Sequence, residues 1–282
     1  MNCVGKSLKT YLDAIPAFDY EIKYFYCLDS LAEVDLVFLA SVDLFLYQHI
    51  STTVYNTVGA PEIDVADYST ENLLRRVPAH CRAVSIPSPY YSGYFPEGTT
   101  RDDIPAAFQT RRDLFPNFCF SRRLMGMLKA GKTAAEIVAV LEDPDLYTKK
   151  EIKVGGMMSL DKLQERERYN RVDIPLTRFI KDNQTRKRLF HSTNHPTAVV
   201  FEYIITELFA LLGVQAPPVV LDTDLMATVS RPPILPCVRA CLDLTDASFG
   251  APYYSFGVAF DSLEAYVQYY VTLFDGVRDV SN

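Results

Sequence analysis

Residues 197–212, TAVVFEYIITELFALL, place the firmest constraint on the fold. Their apolar residues recur at the three- and four-residue spacing of a helix, Gly213 follows as a C-terminal stop, and Pro217 and Pro218 prevent continuation. Four more segments have helical periodicity: 6–15, with Leu8, Tyr11, Leu12 and Ile15 on one face before Pro16, then 118–128, 160–168 and 262–274. A further helix over 133–141 is introduced by Gly131 and carries a capping box, Thr133 with Glu136. Between these lie β-favouring runs at 19–26, 34–39, 43–47 and 83–86, the last leading into the turn-rich PSPYYSGYFPEG. Strands alternating with helices predict an α/β fold: a mostly parallel sheet flanked by helices, with a helical addition.

With 282 residues, 49% of them hydrophobic and 22% charged, the chain can bury a sizeable core, and no linker composition marks a boundary. The expected organisation is a main α/β domain over 1–216 with a helical insertion over about 105–170, and a Pro-rich and helical extension over 217–282 packed on the same body. A net charge of -7 argues against a nucleic-acid partner, which would call for a basic face. The six cysteines are scattered without zinc-type spacing, so no metal is expected and the thiols read as reduced. The N-terminus has no apolar signal core, and the longest apolar stretch, 34–47, is broken by Asp35 and Asp43 and too short to span a bilayer. A cytoplasmic location is the expectation.

Two places concentrate chemistry. Cys3, beside Asn2, precedes the first helix, where the positive end of the helix dipole lowers a thiol pKa toward the nucleophilic thiolate. His195, between Asn194 and a helix-starting Pro196, precedes the longest helix, where it can act as a general base. Cys3 and His195 are therefore the catalytic candidates, and a buried small thiol and a capping histidine are the bland alternatives. Gly5-Lys6-Ser7 lacks the upstream glycine and strand of a phosphate loop.

The order MNCVGKSL, DLFLYQHI, IPSPYYSGYFPEG, RRLMGMLKAGKTAAEIVAVL, VDIPLTRFI, RKRLFHSTNHPTAVVFEYI resembles the WcbI-type polysaccharide biosynthesis family, with its early Asn-Cys and its late RLF-x-x-x-NHP signature. Val4 stands where that family has Gln. The resemblance implies a coenzyme A-binding enzyme that moves an acetyl group from acetyl-CoA to a hydroxyl of a capsular or surface-polysaccharide sugar. A looser similarity to SGNH hydrolases, whose architecture is a three-layer sheet, puts Cys3 in the place of the serine and His195-Pro196 in the late block; Ser192 occupies the position of the orienting acid, leaving either Asp173 or Glu167 for that part or a Cys3–His195 dyad without an acid. Asn2, Gln48 and Asn194 are candidate oxyanion or orienting amides. Arg186, Lys187 and Arg188 are candidates to grip the phosphates of coenzyme A, and Tyr94, in an aromatic turn, to contact a sugar. An esterase or deacetylase using the same residues, and a non-catalytic coenzyme A- or sugar-binding protein, are the other readings.

Overall fold

The computed structural model describes residues 3–16, 18, 20–23, 36–49, 69–97, 121–215, 219–255 and 257–280. The chain forms two compact units, the first from 1–88, 164–176 and 200–222, the second from 89–163, 177–199 and 223–282.

In the first unit, α1 (Cys3–Asp13) buries Val4, Leu8, Tyr11 and Leu12 on one face. That face meets α8 (Ala198–Leu212): Tyr11 packs on Phe201 with ring centroids 5.0 Å apart, and Phe18 stacks on Phe209 at 5.8 Å. Gly213 ends α8 at φ 72°, the left-handed conformation that its lack of a Cβ permits. β1 (Leu44–Gln48) and β2 (Arg82–Ile86) pair in parallel, Leu44 opposite Arg82 and Gln48 opposite Ile86. The β-favouring run at 34–39 instead contributes a short helix, α2 (Leu36–Leu39), because Leu39 is buried with Leu73 of α3 (Thr70–Leu74) against Val42, Phe45 and Val77. The strand expected at 19–26 falls largely outside the described residues, and 20–23 are not strand.

In the second unit, α4 (Arg122–Lys129) and α5 (Ala134–Leu141) are capped by Ser121 and by the predicted Thr133–Glu136 box. A second box, in which Thr148 and Glu151 exchange backbone N–H bonds of 2.7 and 3.2 Å, starts α6 (Lys149–Tyr169) a full eleven residues before the periodicity suggests, despite the poor helix formers Gly155 and Gly156. α7 (Thr177–Asn183) follows, then β3 (Phe190–Ser192) and β4 (His195–Pro196). β5 (Ser230–Arg231), β6 (Tyr253–Ser255) and β7 (Val258–Phe260) form an antiparallel sheet in that order; α9 (Pro236–Leu242) lies between β5 and β6 in sequence. α10 (Leu263–Val280) packs along α5 and α4, burying Tyr266, Val267, Tyr270 and Phe274. Residue 93 has to be glycine, since a Cβ there would stand 2.0 Å from the Tyr91 hydroxyl.

The mixed α/β class stands, and the sheets of the described residues are small and mostly antiparallel in place of the expected mostly parallel sheet. Among the described residues, β1–β2 is the parallel pair and the remaining sheets are antiparallel. β3–β4 and β6–β7 are joined by two residues each, far too short for the crossover that parallel pairing requires.

Candidate active site

The RLF-x-x-x-NHP segment folds as a hairpin of the second unit. β3 and β4 run antiparallel with Ser192 opposite His195, joined by Thr193 and Asn194. Pro196 therefore lies in a strand, not at the first helical position expected of it; α8 begins at Ala198. Its first amide is held instead by Asp224, whose Oδ2 accepts the Ala198 N–H at 3.1 Å.

Arg188 anchors the hairpin from inside. It is 2% exposed, its Nε donates to Phe190 O at 3.0 Å, and its Nη2 donates to His191 O at 2.8 Å and to Pro232 O at 2.9 Å. Burial, and then the proximity of Arg231, pull its pKa down to about 9, which still leaves it cationic at neutral pH.

His195 is 7% exposed, and its Nδ1 lies 3.0 Å from Ser192 Oγ. The Ser192 hydroxyl has one proton and reaches the Asn194 side-chain carbonyl at 3.3 Å. With that proton on Asn194, Ser192 oxygen accepts Nδ1–H, and Nε2 keeps its lone pair. Burial, reinforced by His191, lowers the His195 pKa to about 4, so the ring is neutral at physiological pH.

A second buried histidine stands four residues earlier. His191 Nε2 lies 2.7 Å from Asp224 Oδ2. Burial lowers the His191 pKa, with Asp224 pulling it back up and Arg188 and Arg231 pushing it further down. Burial also works against the Asp224 carboxylate, but the bonds from His191 and from the Ala198 and Met226 amides hold its pKa below the usual range. Among the described residues, Arg188 Nη1, His191 Nδ1 and Arg231 Nε are buried without a hydrogen-bond partner. Neither His191 nor Asp224 is singled out by sequence reasoning. A second histidine inside the late motif was the available signal for one; Asp224 has none beyond its place in a loop after the prolines.

The other candidates divide between the units. In the second, Arg186 and Lys187 are exposed, apart from the buried Arg188. Tyr94 is 1% exposed; its hydroxyl donates to Gln184 O at 2.6 Å, and its ring meets Tyr91 and Phe249 edge-on. The Tyr94 ring thus forms wall while its hydroxyl is held internally. Ser192 and Tyr94, with Phe95, Tyr147, Leu263 and Tyr266, line a mainly apolar cavity of about 50 Å³.

In the first unit, Asn2 lies outside the described residues. Cys3 is the first residue of α1 and reaches solvent, yet its thiol pKa is raised: desolvation by the surrounding protein outweighs the N–H groups of Val4 and Cys3 that favour the thiolate. The expected lowering at the helix start does not win. Gln48 is buried with Nε2 donating to Pro87 O at 3.2 Å. The two proposed orienting acids hold backbone: Asp173 accepts the Ser85 N–H and hydroxyl at 2.7 Å each, and Glu167 accepts the Leu176 N–H at 2.7 Å.

No helix among the described residues is long and apolar enough to cross a membrane, and no group of three His, Cys, Asp or Glu among them could hold a metal ion. The family model for "Polysaccharide biosynthesis enzyme WcbI" matches residues 1–217. A solved structure described as WcbI, a novel polysaccharide biosynthesis enzyme, the native protein without a disulfide bond between coenzyme A and one of its cysteines, is similar over 99% of this chain and 90% of its own. Its TM-score is 0.73 at 22% identity, a likeness of fold. No curated protein matches.

Proposed function

The chain belongs to the WcbI family of polysaccharide biosynthesis enzymes, and from that membership we propose that it is an acyltransferase moving an acetyl group from acetyl-CoA to a sugar hydroxyl of a surface or capsular polysaccharide. The observation that carries the reading is the buried hairpin, which presents a neutral imidazole with one nitrogen occupied by Ser192. In the proposed reaction His195 Nε2 takes the proton of the sugar hydroxyl as its oxygen attacks the thioester carbonyl. The tetrahedral intermediate collapses with cleavage of the C–S bond, and the imidazolium returns the proton to the coenzyme A thiolate. Asn2, Gln48 and Asn194 remain the proposed orienting amides, with Asn194 also holding the Ser192 proton.

The raised Cys3 thiol favours direct attack over an acetyl-cysteine intermediate. Cys3 then takes no covalent part in the transfer. Arg186 and Lys187, both exposed, are proposed to grip the coenzyme phosphates, while Arg188 supports the hairpin.

The test is release of coenzyme A and acetylation of de-O-acetylated surface polysaccharide of the source organism, with acetyl-CoA as donor. Wild type and Cys3→Ser should both turn over, and His195→Ala should fall by roughly 100-fold or more. Loss of turnover in Cys3→Ser with acetyl trapped on the wild-type cysteine would establish the covalent route instead. No binding of coenzyme A to the wild type by calorimetry would overturn the reading.

A further inference from the structure

Beside the cavity at Ser192 lies a larger, open groove of about 520 Å³ in the same unit. Cavity and groove share the residues Pro233, Leu235 and Leu263, so a single wall separates or joins them. Two tyrosines continue that wall: Tyr266 lines the cavity, Tyr253 lines the groove, and their rings meet edge-to-face at 6.3 Å. The surfaces differ in chemistry. The inner cavity is apolar and, at about 50 Å³, too small for a sugar ring. The groove presents Glu142 at the C-terminal cap of α5, Arg239 on α9, and Asp243 at the C-terminal cap of α9, alongside the half-buried ring of Tyr253.

We infer that this groove is the acceptor channel of the acyl transfer proposed above, built for an uncharged glycan of at least two sugar rings. Three features point there. The volume falls within the range of roughly 300–1,000 Å³ that receives ligands of several rings. Carboxylates that accept hydroxyl protons, a forked guanidinium that donates to ring and hydroxyl oxygens, and a tyrosine offering an apolar face with a polar tip are the groups that a pyranose matches. The charge selects against the other form in which a sugar is presented to a transferase: two carboxylates against one guanidinium repel the diphosphate of a nucleotide-activated sugar and leave a neutral chain unopposed. Acetylation would then follow a reaction that links sugars, and the substrate would be an assembled chain, not an activated monomer.

The experiment uses the full-length protein and the de-O-acetylated surface polysaccharide of the source organism, hydrolysed to a ladder of oligosaccharides, beside nucleotide diphosphate sugars of the same monosaccharides. Saturation-transfer NMR without donor should show binding of the ladder from two rings upward, strengthening with length until the groove is filled, and none of the nucleotide sugars. Glu142→Gln and Asp243→Asn, both at exposed positions, and Tyr253→Ala should each weaken oligosaccharide binding by about 3- to 10-fold, the effect of one lost hydrogen bond or ring contact. Folding of each is checked by its melting temperature. No binding of the ladder, equal binding of the nucleotide sugars, or unchanged affinity in all three folded variants overturns the channel. If oligosaccharides bind and the variants weaken them, but acetyl-CoA yields no transfer, the channel stands and the acyltransferase reading fails.

Discussion

Ser192 Oγ stands 3.0 Å from Nδ1 of His195, the two residues facing each other across the turn that closes the β3–β4 hairpin. In a Ser-His-Asp arrangement a carboxylate holds that nitrogen; here a hydroxyl does so, and its own proton is directed to Asn194. A neutral partner fixes the tautomer without stabilising an imidazolium.

Removing that partner should therefore release the tautomer and leave the fold intact. In Ser192→Ala, the imidazole ¹⁵N shifts of His195 should move toward a mixture of the two neutral forms, and kcat/KM should fall by about tenfold, a typical loss for one charge-neutral positioning bond. Ser192→Thr, which keeps a hydroxyl, should recover most of the activity and the single tautomer. Unchanged ¹⁵N shifts in Ser192→Ala would remove Ser192 from this role.

The acid dependence should follow His195. With a folded pKa of about 4 against 6.5 for the free side chain, the base stays unprotonated well below neutrality, so kcat/KM should hold level from pH 8 to pH 5 and fall near pH 4. The same shift bears on stability. Because the folded pKa is the depressed one, the unfolded chain binds the proton first as pH falls; the contribution is present above pH 6.5 and is lost between 6.5 and 4, amounting to about 3 kcal/mol. His191 adds a loss of the same sign. Urea melts of wild type and His195→Gln at pH 7.5 and 4.5 should show a smaller pH effect in the variant.

Arg188 is the residue whose loss should damage the fold most. Arg188→Ala strips the donors from Phe190, His191 and Pro232 carbonyls and opens a void, and should cost about 3 kcal/mol or more in urea unfolding. Arg188→Lys should recover little, since an ammonium cannot reproduce the fork that reaches three carbonyls. A fully stable Arg188→Lys protein would show that charge alone suffices there.

The exposed pair beside it should behave differently. Arg186→Ala with Lys187→Ala should leave the melting temperature near that of wild type and weaken coenzyme A more than its 3′-dephospho form, measured by calorimetry, if the two cations meet the 3′-phosphate. Equal weakening of both ligands would move them to the diphosphate.

Local signals in the sequence carried through where the structure is local. The Thr133–Glu136 box, the Gly213 stop and the start of α10 after Ser262 all involve residues within a turn of one another, and all are present. The Thr148–Glu151 box that starts α6 is equally local and was overlooked; the other differences required distant partners. Residues 36–39 of the run at 34–39 form a helix because Leu73 covers Leu39; Pro196 lies in a strand because Arg188 and Pro232 shape the hairpin; and the Cys3 thiol is raised because surrounding protein outweighs the helix start. At the candidate site, the motif marks His195 and Asn194, and it marks Ser192 as the position of a missing acid but not as the partner of the His195 ring. Asp224 was not legible at all, since only the fold brings it to His191 and to the first amide of α8.

The Arg188 guanidinium also sets an order of events during synthesis. The late motif, complete by residue 196, depends for its shape on a carbonyl at Pro232 and a carboxylate at Asp224, neither of which exists when the ribosome has just finished the family-matching stretch at 217. Until Asp224 and Pro232 have been made and have left the exit tunnel, the 188–196 segment lacks the carboxylate and the carbonyl that hold it. The C-terminal segment thus completes the hairpin, and in a ribosome-bound chain stalled before Asp224 the hairpin amides should exchange more freely with solvent than in the full chain.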